Sequence, residues 1–174
     1  MTEYPLSFWE HESFTSRDFI IIGSGIIGLS TAISLRSIAP NASITVLERG
    51  IFPSGASTKN AGFACFGSLT EILSDFNRIG EDATLEIIEK RWRGLEILRK
   101  RLGDTAIGFE QYGGYELLSN NQKQAIERIE TVNLLLRPLF GQAVFSVQNS
   151  LIREFGFAGN KVHSLIQNPF EGQI

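Results

Sequence analysis

The sequence has one cysteine, Cys65, and two histidines, His11 and His163. A single cysteine excludes an intramolecular disulfide framework and a zinc site built from cysteines. The histidines lie far apart with no metal-ligand spacing, so they read as surface or loop residues and no metal is expected. A basic excess is missing as well: 16 Lys and Arg stand against 19 Asp and Glu, a net charge of −3. That balance argues against a general nucleic-acid-binding role. No apolar run approaches the ~20 residues that span a bilayer. Residues 1–17 include Glu3, Glu10 and Glu12 and lack both a basic start and an apolar centre, so they do not read as a signal peptide. Asn41-Ala42-Ser43 matches a glycosylation acceptor, but without a leader the match is empty. These absences lead to the expectation of a soluble, cytoplasmic protein.

Hydrophobic residues make up 43% and charged residues 20% of the 174-residue chain. Wholesale disorder is thereby excluded, and the length suits one domain and part of a second. Phe19-Ile20-Ile21-Ile22 is a short β-branched run ended by Gly23, which predicts a buried strand. Ile26 to Ile38 carries apolar residues at helical spacing (Leu29, Ala32, Ile33, Leu35) and is stopped by Pro40. Ile44-Thr45-Val46-Leu47 predicts a second buried strand, ending at Glu48. Strand, glycine turn, helix and strand in this order make a βαβ unit with parallel strands.

Gly23-Ser24-Gly25-Ile26-Ile27-Gly28 has the form G-x-G-x-x-G and occupies the turn between the first strand and the helix. The six letters alone are weak evidence, but their position in a βαβ unit is specific. Gly23 permits the tight turn, Gly25 lets backbone approach a pyrophosphate, and Gly28 lets the helix pack closely on the strand. Free N–H groups and the positive dipole end at the helix start suit a diphosphate. Glu48, 20 residues after Gly28, suits the ribose hydroxyls of an adenosine and would repel a 2′-phosphate. Dinucleotide binding follows, with NADP disfavoured.

From Gly50 to Ser68 periodicity vanishes and small residues dominate. The stretch is too long for an ordinary connection. Its segment Ser54-Gly55-Ala56-Ser57-Thr58-Lys59-Asn60-Ala61-Gly62 offers hydroxyl and backbone donors, and Gly62 leaves room for a flat ring. Asp18 to Glu48-Arg49, followed by Gly55 through Phe63, resembles the N-terminal portion of the FAD-dependent D-amino-acid oxidase and glycine oxidase superfamily. Gly113-Gly114-Tyr115-Glu116-Leu117-Leu118 resembles that family's first substrate-domain hairpin, less specifically. The resemblance implies an α/β fold: a Rossmann-type FAD-binding domain joined to an α+β substrate domain with antiparallel strands. It also implies that Gly23, Ser24, Gly25, Ile26, Ile27 and Gly28 serve the pyrophosphate, Glu48 the ribose, and Arg49 the adenine side. Ser57, Thr58 and Lys59 would lie near the diphosphate and ribityl chain, and Asn60, Ala61 and Gly62 near the isoalloxazine. Some relatives attach FAD covalently through a His in this loop; Lys59 stands there in this sequence, so non-covalent FAD is expected.

Beyond the loop, helices are predicted over Leu69 to Ile79 and, with Leu85, Ile88, Trp92, Leu95 and Leu102 on one face, up to Gly103. Ile107 to Gln111 and Tyr115 to Leu118 read as strands of a hairpin turning at Tyr112-Gly113-Gly114. A third helix is predicted from Gln122 to Leu136, capped by Asn120 or Asn121 and ended by Pro138. Ala143 to Val147, a short helix from Asn149, and Val162 to Ile166 complete the pattern. A seam is expected near residue 103, with 1–103 the N-terminal part of the FAD-binding domain and 104–174 a partial substrate domain. Relatives continue well past this length, and Asn168 to Ile174 resembles the lead-in to another crossover helix. The FAD domain is therefore expected to be incomplete, and no catalytic residue is assigned.

Two further features have bland readings beside functional ones. Cys65 could approach a flavin but reads more simply as a small buried hydrophobe. The basic, amphipathic stretch from Glu89 to Arg101 could touch an anionic membrane or form a solvated helix face. The leading expectation is the FAD-binding portion of an oxidoreductase that moves hydride from an amine or amino acid to flavin N5. A completing second chain or homo-oligomer is a candidate partner. The alternatives are a non-catalytic dinucleotide-binding module and an inactive fragment.

Overall fold

In the computed structural model the described residues are 5–14, 16–158 and 161–174. Residues 1–4 of the opening stretch lie outside them. The chain divides into two units, Met1–Ala61 and Gly62–Ile174. The seam expected near residue 103 falls inside the second unit.

The first unit begins with α1 (Phe8–Phe14). Its start is closed reciprocally: Glu10 N–H donates to Ser7 Oγ at 3.2 Å and Ser7 N–H donates to Glu10 Oε2 at 2.8 Å, a capping box. The predicted βαβ unit follows as β1 (Phe19–Ile22), α2 (Ile26–Ile38) and β2 (Ile44–Leu47). β1 and β2 pair in parallel, with Phe19 opposite Ile44 and Ile22 opposite Leu47. Asp18 pins the lower end of the pair, its Oδ2 accepting from Ser43 N–H and Ser43 Oγ–H, both at 2.8 Å. The strands are not buried as the sequence suggested: Ile20 is 59% and Ile22 88% exposed. No described residue of this unit is buried. β-Branched side chains favour a strand locally, but burial on both faces needs neighbours that one parallel pair and one helix do not supply.

The second unit contains β3 (Phe63–Ala64), α3 (Leu69–Ile79), α4 (Glu81–Leu102), α5 (Asp104–Ile107), β4 (Gly114–Leu118), a 3-10 run over Asn120–Arg128, α6 (Ile129–Phe140), β5 (Ser146–Val147), α7 (Ser150–Glu154), β6 (Ser164–Asn168) and β7 (Gly172–Gln173). β4, β6 and β5 form one antiparallel sheet in that order, and β3 pairs with β7. Phe66, Leu69 and Ile72 pack with Ile88, Leu118, Val132, Leu136 and Ile166 into one core. Phe66, Trp92, Phe140 and Phe170 add an aromatic cluster with centroid separations of 4.8 to 6.0 Å. α3 and α4 occupy their predicted spans, with Gly80 at φ +89° making the corner between them.

The hairpin at Tyr112-Gly113-Gly114 does not form. Gly113 does turn, at φ +85°, but the preceding stretch is taken by α5 and one bridge from Glu110 to Gln173. Asp104 starts that helix while accepting two 2.8 Å bonds from Arg99, whose guanidinium stacks 4.0 Å above the Phe109 ring. β4 pairs instead with β6, in register from Gly114 opposite Asn168 to Leu118 opposite Ser164. The third helix also differs at both ends. Ser119, not Asn120 or Asn121, opens it, its N–H donating to Gln122 Oε1 at 3.1 Å. Its first turns are 3-10, and Pro138 lies inside α6 rather than ending it. The last turn survives because Phe140 is held 4.8 Å from Phe66 and 5.0 Å from Trp92. In the Asn168 to Ile174 stretch, Asn168 ends β6 and Gly172–Gln173 form β7.

Candidate functional site

The turn between β1 and α2 shows what each fingerprint glycine does. Gly23 has φ +96°, which disfavours a side chain, and its N–H donates to Leu47 O at 2.7 Å. The chain thus leaves the sheet immediately after its last bond to β2. Gly25 is the N-cap of α2 in ordinary extended conformation. Its role is spatial: a Cβ there would lie 3.0 Å from Ser57 Oγ. At Gly28 a Cβ would lie only 2.1 Å from Gly23 O and 3.4 Å from the Ile21 side chain. Close packing of helix on strand therefore requires glycine at that position. Ile26 and Ile27, the first helical residues, are exposed.

Glu48 leaves the end of β2 and turns toward this loop. Its Oε2 accepts from Ser24 N–H at 2.9 Å and Ser24 Oγ–H at 2.8 Å, and its Oε1 accepts from Gly50 N–H at 3.3 Å. These donors, led by the Ser24 N–H, hold the carboxyl down at about 2, so it is ionised at neutral pH. The part played by Gly50 escaped the sequence reading; its signal is a glycine two residues past a strand-ending acid. Arg49 is exposed beside it.

The small-residue loop folds back onto the same turn. Ala56–Thr58 form one 3-10 turn, and Ser57 Oγ accepts from Ile26 N–H at 3.0 Å. Gly23 to Gly28, Glu48 and Ser57 are therefore brought together. Thr58 and Asn60 bond within the loop: Thr58 Oγ1 donates to Gly55 O at 3.1 Å and Asn60 Nδ2 to Ser57 O at 2.9 Å. Lys59 and Ala61 are exposed. Gly62 belongs to the second unit, at φ +74°, where a Cβ would meet Ile174 O at 2.6 Å.

Cys65 is exposed rather than buried, because Phe66 and Ala64 on either side take the inward positions. Partial shielding of its sulfur, with Glu171 and Glu71 nearby, pushes the thiol above its ordinary value. His163 is exposed with Nδ1 3.0 Å from Ser164 Oγ, and His11 is exposed on α1. Among the described residues no group of three His, Cys, Asp or Glu could hold a metal. On α4, Lys90 pairs with Glu86 at 2.6 Å, Arg93 with Glu89 at 2.5 Å, and Arg91 with Glu71 of α3 at 2.9 Å. Much of the basic stretch is thus answered by acids. Among the described residues no helix is long and apolar enough to cross a membrane.

Residues 18–147 match the family model for FAD dependent oxidoreductases. Solved structures that share the fold include two glycine oxidases. Glycine oxidase from Bacillus cereus ATCC 14579 superposes with a TM-score of 0.58 at 21% identity, over 91% of this chain and 41% of that one. Glycine oxidase from Geobacillus kaustophilus gives 0.58 at 22% identity, over 90% of this chain and 40% of that one. The chain thus spans about two fifths of the length of these structures. No curated protein matches it significantly.

Proposed function

The chain belongs to the FAD dependent oxidoreductase family, and from that premise we propose that its first unit is a Rossmann-type cradle for FAD in an enzyme oxidising amines or amino acids. The observation that carries this proposal is the convergence of three separated segments on the start of α2. Gly28 fits against Gly23 O, Glu48 is held by Ser24, and Ser57 reaches the Ile26 amide. The donor set suits an adenine dinucleotide: helix-start N–H groups for the diphosphate, an ionised acid for ribose hydroxyls, and no side chain at Gly25 to obstruct approach.

In this arrangement Gly23 to Gly28 receive the pyrophosphate and Glu48 orients the ribose. Ser24 keeps Glu48 ionised and in place. Ser57 exchanges its bond to the Ile26 amide for contact with the diphosphate side. Arg49 lies toward the adenine, with Thr58 and Lys59 along the ribityl side. Asn60, Ala61 and Gly62 are assigned to the ring. With Lys59 rather than histidine in the loop, the cofactor is held without a covalent bond. Bound flavin would supply the two-electron chemistry, taking hydride at N5 from the carbon that bears the amine, and this chain supplies position and electrostatics. The division into a cofactor portion, 1–103, and a substrate portion, 104–174, belongs to the same proposal.

Denaturing the purified protein and identifying the released cofactor by chromatography tests the assignment. FAD is expected. A nicotinamide nucleotide in its place would overturn it.

A further inference from the structure

A small polar cavity in the second unit lies apart from the fingerprint. It measures about 60 Å³ and lies where β4 and β6 meet the N-cap of α3, lined by Ser68, Glu116, Phe145, Ile166, Asn168 and Glu171 among others. Its walls are chemically specific. Glu171 is only 8% exposed, and its Oε1 accepts from Phe66 N–H at 3.2 Å. Glu116 accepts from Thr70 N–H at 3.3 Å and from the Thr70 hydroxyl. Asn168 is 2% exposed; its Oδ1 accepts from Phe170 N–H at 3.0 Å, while its Nδ2 is buried without a partner.

A buried amide donor is rarely left unpaired, so something in the cavity must accept from Nδ2. The same occupant faces two carboxyl groups, which accept unless protonated. A metal cation would face the N–H protons of Asn168, and an anion would face Glu116 and Glu171. Water accepts from the amide and can either donate to an ionised carboxyl group or accept from a protonated one, so it satisfies both walls whatever the state of Glu171. The volume leaves room for it: about 30 Å³ is one water's share of liquid, and an ordered site needs two to four polar partners.

We propose that this cavity is a built water site, with one ordered molecule bridging Asn168 Nδ2 and the Glu171 carboxyl group. The site joins β6 to the segment after Gly62, because Glu171 also holds the Phe66 amide and its neighbour Gly172 pairs with Ala64. Burial together with Glu71 and Glu116 raises the Glu171 carboxyl group, consistent with a group that shares its proton with the bound molecule near neutral pH. The inference does not depend on the cofactor assignment.

The test is water-amide cross-relaxation by NMR on the 15N-labelled full chain at neutral pH. The Asn168 side-chain NH2 should show a cross-peak at the water frequency with the sign of a long-lived, slowly tumbling contact. The peak should persist in Ser68→Ala, which removes a hydroxyl able to relay exchange, and MnCl2 should leave the Asn168 signals sharp. Absence of the peak, its loss in Ser68→Ala, or manganese broadening confined to the cavity would each overturn the proposal.

Discussion

Ser57 Oγ accepts from the Ile26 amide at 3.0 Å, across 31 residues of sequence. One hydroxyl thereby ties the small-residue loop to the helix that carries the glycine fingerprint, in the manner of an N-cap supplied from a distance. Removing it in Ser57→Ala should cost about 1 kcal/mol, the usual size of a lost cap. Hydrogen exchange at the Ile26 amide should then accelerate roughly five-fold. Unchanged exchange would show that the loop is held elsewhere.

Gly28 and Gly23 should respond differently to alanine. A Cβ at 28 meets Gly23 O at 2.1 Å, whereas at 23 it meets nothing within 4 Å and is disfavoured only by φ +96°. Gly23→Ala should therefore cost about 1–2 kcal/mol of backbone strain. Gly28→Ala should cost more, because α2 must move off the strand. Chemical denaturation followed by circular dichroism ranks the two variants, and equal losses would contradict the close-packing role.

The two most strongly shifted carboxyl groups, Glu48 in the first unit and Glu171 in the second, should contribute to stability with opposite pH dependence. Glu48 falls from an ordinary 4.5 to about 2 in the folded chain. Its contribution is present above pH 4.5 and is lost as pH falls through 2. Glu171 rises from 4.5 to about 7, so the folded state binds the proton more tightly. That contribution is complete below pH 4.5 and is lost as pH rises to 7, on the order of 2–3 kcal/mol. Between pH 5 and pH 8 wild type should lose stability while Glu171→Gln, which mimics the protonated acid, stays nearly flat. Parallel curves for the two proteins would contradict this assignment.

The legible parts of the fold were those governed by short-range rules. Phe19 to Ile22, the glycine turn and Pro40 lie within a few residues of the structure they specify, and β1, α2 and β2 appear where expected. Leu69 to Ile79 likewise carries its own cap at Ser68. The hairpin was misread because Gly114 to Leu118 finds its partner at Ser164 to Asn168, and a local turn signal at Gly113 does not reveal a competing distant strand. Burial was misjudged for the same reason: the β-branched residues of β1 specify a strand, but only neighbouring elements can cover it. In the candidate site, loop composition showed only that hydroxyl donors were on hand; that Ser57 Oγ meets the Ile26 amide depends on how the loop folds back. The hold of Ser24 on Glu48 depends on side-chain geometry that the motif spacing does not encode. Glu171 gave no sequence signal, since its partner Phe66 is 105 residues away.

Whether the Gly23 to Gly28 turn holds FAD is read by titrating purified, cofactor-stripped protein with FAD and following quenching of flavin fluorescence, for wild type and Gly25→Val. A branched side chain at Gly25 enters the space beside Ser57 Oγ where the diphosphate must approach, while a valine at the N-cap leaves most of α2 intact. Saturable quenching by wild type and its loss in Gly25→Val are expected, with the far-ultraviolet circular dichroism of the two proteins alike. Equal quenching by both would place the diphosphate somewhere other than the Gly23 to Gly28 turn and contradict its assignment as the cofactor cradle.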